Sequence, residues 1–151
     1  MPIRCEIVSQ DRMVFDGDVD IVVAPGEGGE MGILPNHAPL LTTLKYGILK
    51  VRQQNEEIDF AIAGGIMEVQ PHIVTILADA AENVQEIDVA RAEAAKQRVE
   101  DLLKEGPPPD MDSYLAMEAA LKRSNLRLEA ARRYRKAGQS GRLPGEKQGE
   151  S

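Results

Sequence analysis

Four arginines in the second half of this 151-residue chain stand where they could hold a phosphate-bearing ligand. Arg91 and Arg98 are spaced to lie two turns apart on one helix face, and Arg123 and Arg127 are spaced i, i+4 on another. Guanidinium groups suit phosphate because they stay charged and offer paired donors, while Glu82 and Asp88 can accept hydrogen bonds from a base or a ribose. The same residues also fit a solvated helix face laced with ion pairs, with Asp88 acting only as a helix cap, and composition alone leaves both readings open. Other chemistry is hard to find. There is no Walker loop and no G-x-S-x-G, and His37 and His72 belong to no recognisable triad or metal motif. Gly26, Gly28 and Gly29 do not open a helix after a strand, so they make a poor dinucleotide loop. Cys5, the single cysteine, cannot form an internal disulfide and is expected to be a buried strand residue.

The elements that must position these side chains divide the chain in two. From residue 3 to about 78 the sequence gives short β-rich runs broken by turn residues: IRCEIVS, MVFDGDVDIVVAP, PLLTTLKYGILKVRQ, EIDFAIAG, IMEVQ and HIVTILAD. Such spacing predicts an antiparallel sandwich or barrel, with turns at Gln54 to Glu56, at Gly64-Gly65 and at Gln70-Pro71-His72. Ile48, Lys50 and Arg52 alternating with Leu49 and Val51 predict a strand with one wet face. After Asp79 the composition turns to Ala, Glu, Lys, Arg and Gln, all strong helix formers. Ala92, Ala95, Val99 and Leu102 form the stripe of a helix over 88–104, capped by Asp88. The run Gly106 to Asp110 breaks it, and Asp112 or Ser113 is expected to cap a second helix over 113–136 with a stripe of Met117, Leu121, Ser124, Leu128 and Ala131. The two stripes predict an αα-hairpin with a seam of small side chains, which buries little apolar area and should be only marginally stable. The last fourteen residues, 138–151, are rich in Gly and charge and are expected to be disordered.

Charge is divided along the same line. The net charge is −7, but residues 1–86 carry 5 Lys and Arg against 14 Asp and Glu, while residues 87–151 carry 13 against 11. Within residues 122–136 seven basic side chains face Glu129 alone, a stretch suited to an acidic partner or a polyanion. No apolar run reaches the roughly 20 residues of a spanning helix, and MPIRCEIVSQD lacks the apolar core of a signal peptide, so a cytoplasmic chain is expected.

Three motifs then stand in a recognisable order: GEMGILPNHAPLLT at 29–42, AGGIMEVQPHIVTILAD at 63–79 and IDVARA at 87–92. Over residues 1 to about 136 the chain closely resembles the epsilon subunit of bacterial F-type ATP synthases. The resemblance implies a β-sandwich of about ten short antiparallel strands over residues 1–84, a regulatory antiparallel two-helix hairpin over 85–137, and a tail over 138–151. It implies a non-catalytic rotor subunit on the cytoplasmic face of the bacterial plasma membrane, with the gamma subunit, the c-ring and the alpha and beta subunits as partners. Some family members bind ATP on the hairpin. By resemblance that site is Glu82, Ile87, Asp88, Arg91, Ala92, Arg98, Arg123 and Arg127, with ATP as a regulatory ligand and no required cofactor or metal. Glu30, Met31, Pro35 and His37 are implied to face the c-ring, and Lys122, Arg123, Arg127, Arg132, Arg133 and Arg135 to meet the catalytic subunits when the hairpin extends and blocks hydrolysis. The alternative within the family is a member whose hairpin binds no ATP and serves assembly only. Outside it stand a free nucleotide sensor and an enzyme using His37 and Glu30. The chain departs from the family pattern in the stiff Pro107 to Pro109 connection and in a longer tail after Ala137.

Overall fold

Ile3, Cys5 and Ile7 alternate with Arg4 and Glu6, and in the computed structural model, which describes residues 1–10 and 12–135, the first set is fully buried. These residues form β1 (Ile3–Ser9), followed by β2 (Arg12–Val19), β3 (Ile21–Gly26), β4 (Gly29–Ile33), β5 (Leu40–Gln53), β6 (Glu56–Val69), β7 (Ile73–Ala78) and β8 (Ala81–Asn83). The strands pair in the order β2-β1-β7-β6-β5-β3-β4, with β8 also on β6, and the continuous sheet folds over to enclose one core. Val22 and Ala24 from one end of the sheet share that core with Ile3, Cys5 and Ile7 from the other, around Leu49, Phe60, Ile62 and Met67.

The long strands β5 and β6 serve both layers, and their side-chain alternation switches along their length. In β6, Phe60 and Ile62 face the core, but beyond Gly64-Gly65 it is Met67 and Val69 that do so. Gly64 and Gly65 have φ of +86° and +139°, and a Cβ on Gly65 would run into the backbone of Leu77 and Ala78. The pair expected to make a turn is therefore a distortion inside one strand that re-aims its faces. Merging EIDFAIAG with IMEVQ in this way lowers the count, and MVFDGDVDIVVAP divides at Asp20 into β2 and β3, so the described residues hold eight strands rather than about ten. One pairing is not antiparallel: β1 lies parallel to β7, with Arg4 beside Ile73.

A one-turn 3-10 helix (Val84–Glu86) leads into α1 (Val89–Lys104) and α2 (Met111–Tyr134). Asp88 caps α1 as expected, its side chain accepting from the backbone N–H of Arg91 at 3.1 Å. For α2 the cap is Asp110, earlier than Asp112 or Ser113, because its carboxylate accepts from the Ser113 N–H at 2.7 Å and also from the hydroxyl. The helices bury Ala92, Val99, Ser124, Ala130 and Ala131, while Leu102 is 43% exposed and Met111 and Leu115 are open to solvent. The hairpin is packed at its base and loose at its tip. Lys136 and the tail over 138–151 lie outside the described residues.

Candidate functional site

The outer face of β5 and β6 near Ala61 is where the hairpin docks, and β-sheet register determines what it meets. Tyr46 lies opposite Ala63, Ile48 opposite Ala61, and Ala61 opposite Glu82 of β8. Small side chains on β6 let the helix approach, so Ala61, Val84, Ile87, Ala130 and Ala131 form a second buried cluster beneath α2, with Ile48, Leu126 and Tyr134 at its edge. The face of β5 expected to be wet is thus half covered at Ile48 and Lys50, and Arg52 stays in solvent.

Polar contacts fasten this joint. Arg127 donates to both oxygens of Glu82, from Nε at 2.8 Å and from a terminal nitrogen at 3.1 Å, with both side chains 30% exposed. Arg135 donates from one terminal nitrogen to the carbonyls of Val84 at 3.0 Å and Ile87 at 2.7 Å, bracing the end of α2 against the linker. Lys122 places its ammonium 4.2 Å from the centre of the Tyr46 ring, and Lys50 sits 5.4 Å from that of Tyr134. Arg132 and Arg133 are held on Glu129 at 2.7 and 3.3 Å, and these hydrogen bonds, that from Arg132 foremost, keep the Glu129 carboxyl below its ordinary range.

The expected ligand residues are brought together in part. Glu82, Arg123 and Arg127 converge on a crevice of about 420 Å³ between α2 and the sandwich, floored by Ala61, Ala63, Ala80 and Ala81. Arg91 and Arg98 are exposed and do not line it. Glu93 and Lys96 of α1 and Asn125 and Glu129 of α2 line a separate cavity of about 980 Å³ that also meets Tyr46. Of the IDVARA motif, Ile87 is buried in the joint, Asp88 caps α1, Ala92 is buried and Arg91 is exposed. Two charged lining residues, Arg12 and Glu86, were not among the expected set. Arg12 precedes them by far in the chain, and only the tertiary fold brings it near.

The remaining expectations fall elsewhere. Glu30 and Met31 are on β4 rather than in a turn, and Pro35 and Asn36 form the turn that follows it, with Asn36 at φ +66°. The His37 ring nitrogen Nδ1 lies 2.7 Å from the Ala38 carbonyl, a local contact of the kind a turn histidine makes. A separate apolar row crosses the outer face of the other half of the sheet, where Thr43, Ile66, Leu77, Val8 and Met13 are register neighbours from β5 to β2. Ile66, Leu77 and Met13 in that row are exposed, as is the nearby Leu41. Among the described residues no group of His, Cys, Asp and Glu is placed to hold a metal, and no helix is long and apolar enough to cross a membrane.

Fold and site define a class: a β-sandwich bearing a C-terminal helical hairpin that is latched to its outer face by guanidinium contacts. Residues 2–84 match the family described as ATP synthase, Delta/Epsilon chain, beta-sandwich domain, and residues 85–132 match the corresponding long alpha-helix domain. The chain belongs to the delta/epsilon family of ATP synthase chains. It is 46% identical over 134 residues, 89% of this chain and 95% of the other, to the ATP synthase epsilon chain of Dehalococcoides mccartyi. It is 53% identical to that of Pelotomaculum thermopropionicum over 100 residues, covering 66% of this chain and 75% of the other. A solved structure of the Euglena gracilis mitochondrial ATP synthase, comprising OSCP, F1 and c-ring, contains a chain that superposes with a TM-score of 0.67 at 26% identity, over 86% of this chain and 81% of that one.

Proposed function

We propose that this chain is the epsilon subunit in the central stalk of a bacterial F-type ATP synthase, without a catalytic role of its own, and that its hairpin is an ATP-sensitive latch on hydrolysis. The observation that carries the latch is the bidentate Arg127–Glu82 pair, which ties the basic helix to the sandwich beside Arg123. In the closed arrangement most of the cations that would meet acidic segments of the alpha and beta subunits are already engaged. Lys122 sits on Tyr46, Arg127 on Glu82, Arg132 and Arg133 on Glu129, and Arg135 on two carbonyls. Opening the hairpin frees Lys122, Arg127 and Arg135, while Arg132 and Arg133 keep Glu129 beside them on the same helix. A ligand that binds the closed state more tightly holds it closed, and ATP near Glu82, Ile87, Asp88, Arg91, Ala92, Arg98, Arg123 and Arg127 acts in that sense.

The sandwich couples the subunit to the rotor. The apolar row through Ile66 and Leu77 is the face for the gamma subunit, and Glu30, Met31, Pro35 and His37 on β4 and its following turn are the face for the c-ring. The membrane contact is peripheral and made through the complex, on the cytoplasmic side. Relatives named as epsilon chains support the stalk assignment.

Titrating the purified chain with ATP, alongside an Arg91→Ala, Arg127→Ala double variant, tests the latch. Saturable binding that disappears in the variant supports it, and absence of binding up to millimolar ATP removes it. A second reading, an assembly subunit with no ATP response, is favoured by the protein contacts that close the hairpin unaided, and it predicts that second result.

A further inference from the structure

The two helices of the hairpin are held very differently. α1 packs along α2, whereas α2 also packs on β5, β6 and the 3-10 helix. Val89, in the first turn of α1, reaches the edge of the cluster beneath α2, and Ala92 and Val99 are the buried side chains of α1. Further along, Glu93, Lys96 and Tyr46 line the same cavity of about 980 Å³, so open space rather than packing separates α1 from the sheet on that flank. Among the described residues no hydrogen bond or ion pair joins α1 to α2 or to the sandwich; the side-chain contacts of α1 are the Asp88 cap and a bond from Gln97 to Asp101 at 2.9 Å within the helix. The contacts that fasten the hairpin come instead from Lys122, Arg127, Tyr134 and Arg135.

We infer that the closed hairpin opens in two steps, and that α1, with the first turns of α2, unwinds while the segment from Lys122 to Arg135 stays on the sandwich. α1 is tied at both ends, at Ile87 in the joint and at the start of α2, so it leaves by unwinding rather than by swinging away. It has 16 residues, close to the about 12–15 below which an isolated helix is marginal in water, and its one packed face is built on Ala92 and Val99. The first turns of α2 carry the exposed Met111, Tyr114 and Leu115 and add little to hold it. Undocking the rest of α2 is a larger event. It must break the bidentate Arg127–Glu82 pair and the Arg135 brace, and uncover Ala61, Val84, Ile87, Ala130 and Ala131 at once. Local opening follows the less costly route. One consequence rests on the latch reading, whereas the order of opening does not: the first step leaves Arg127 on Glu82 and Lys122 on Tyr46, so a chain with α1 unwound still withholds these cations from the catalytic subunits.

Hydrogen exchange of the full chain, read amide by amide without nucleotide, tests the order. After correction for intrinsic rates, residues 93–104 and 115–119 should be at least about tenfold less protected than residues 126–134. Ala94→Gly, at an exposed position in the middle of α1, should speed exchange in α1 about fivefold and leave residues 126–134 unchanged. Arg127→Ala should do the reverse, speeding residues 126–134 and leaving α1 unchanged. Equal protection of the two sets in the unsubstituted chain overturns the two-step order, and so does either variant that speeds both sets by the same factor. Such a result leaves the ATP-sensitive latch standing, because that reading fails only in the ATP titration.

Discussion

At the scale of single residues, the joint depends on guanidinium groups that are half buried, where a hydrogen-bonded pair contributes more than in open water. Arg127→Ala should loosen docking by about 1–2 kcal/mol, because it leaves the Glu82 carboxylate beside the helix without its two donors. Amide hydrogen exchange would register this as faster exchange along α2 with the β6 amides unchanged, and uniform exchange would place the pair outside the docking energetics. Cys5 makes a different prediction. Burial, helped by Glu6 and then Asp16, pushes its thiol up to about 12 from an ordinary 9.0. The unfolded chain loses this proton first, so the contribution is intact below pH 9 and is lost as the pH rises toward 12. Denaturation midpoints taken across that window should fall, and the Cys5→Ala variant should show a shallower fall. Alkylation of Cys5 at pH 8 should wait for unfolding.

At the scale of elements, Gly65 is the position that least tolerates a side chain. Gly65→Ala should cost at least about 2 kcal/mol, since its φ of +139° is strained for any L-residue and the added Cβ meets Ala78 Cα at 2.7 Å. A thermal midpoint within a degree of the parent would show that the strand relaxes around the substitution. The same glycines explain what could be read from the chain and what could not. The individual runs of β1, β5 and β7 and the extents of α1 and α2 follow from local alternation and capping, both encoded within a few residues. The inversion of β6 at Gly64-Gly65 resembles a turn in sequence because turns and bulges call on the same residue type. Asp88 could be recognised as a cap from its place before a helical stripe. The pairing of Glu82 with Arg127 could not, since it depends on β8 lying opposite Ala61 and on α2 lying above both. Arg12 carries no local signal at all.

At the scale of the whole molecule, the two faces of the sheet should be separable by mutation. Ile66→Asp with Leu77→Asp alters an exposed row and should leave the fold and the closed hairpin intact while abolishing binding to a purified gamma subunit in a pull-down. Retained binding would move the gamma contact elsewhere. Conversely, Arg135→Ala removes the brace to Val84 and Ile87 and should leave gamma binding unchanged while α2 becomes more sensitive to protease. Unchanged digestion would show that the brace adds nothing to closure.

The parallel pairing of β1 with β7 bears on how the protein is made. β1 is made long before its parallel partner Ile73–Ala78, and β2 joins the sheet through β1. A nascent chain can pair β1 with β2 but must leave its other edge open and Ile3, Cys5 and Ile7 without their full core until β7 emerges, a delay that invites chaperone capture. The helices follow later still, so the hairpin is synthesised onto a surface that has just been completed, and its first conformational choice is made against a finished sandwich.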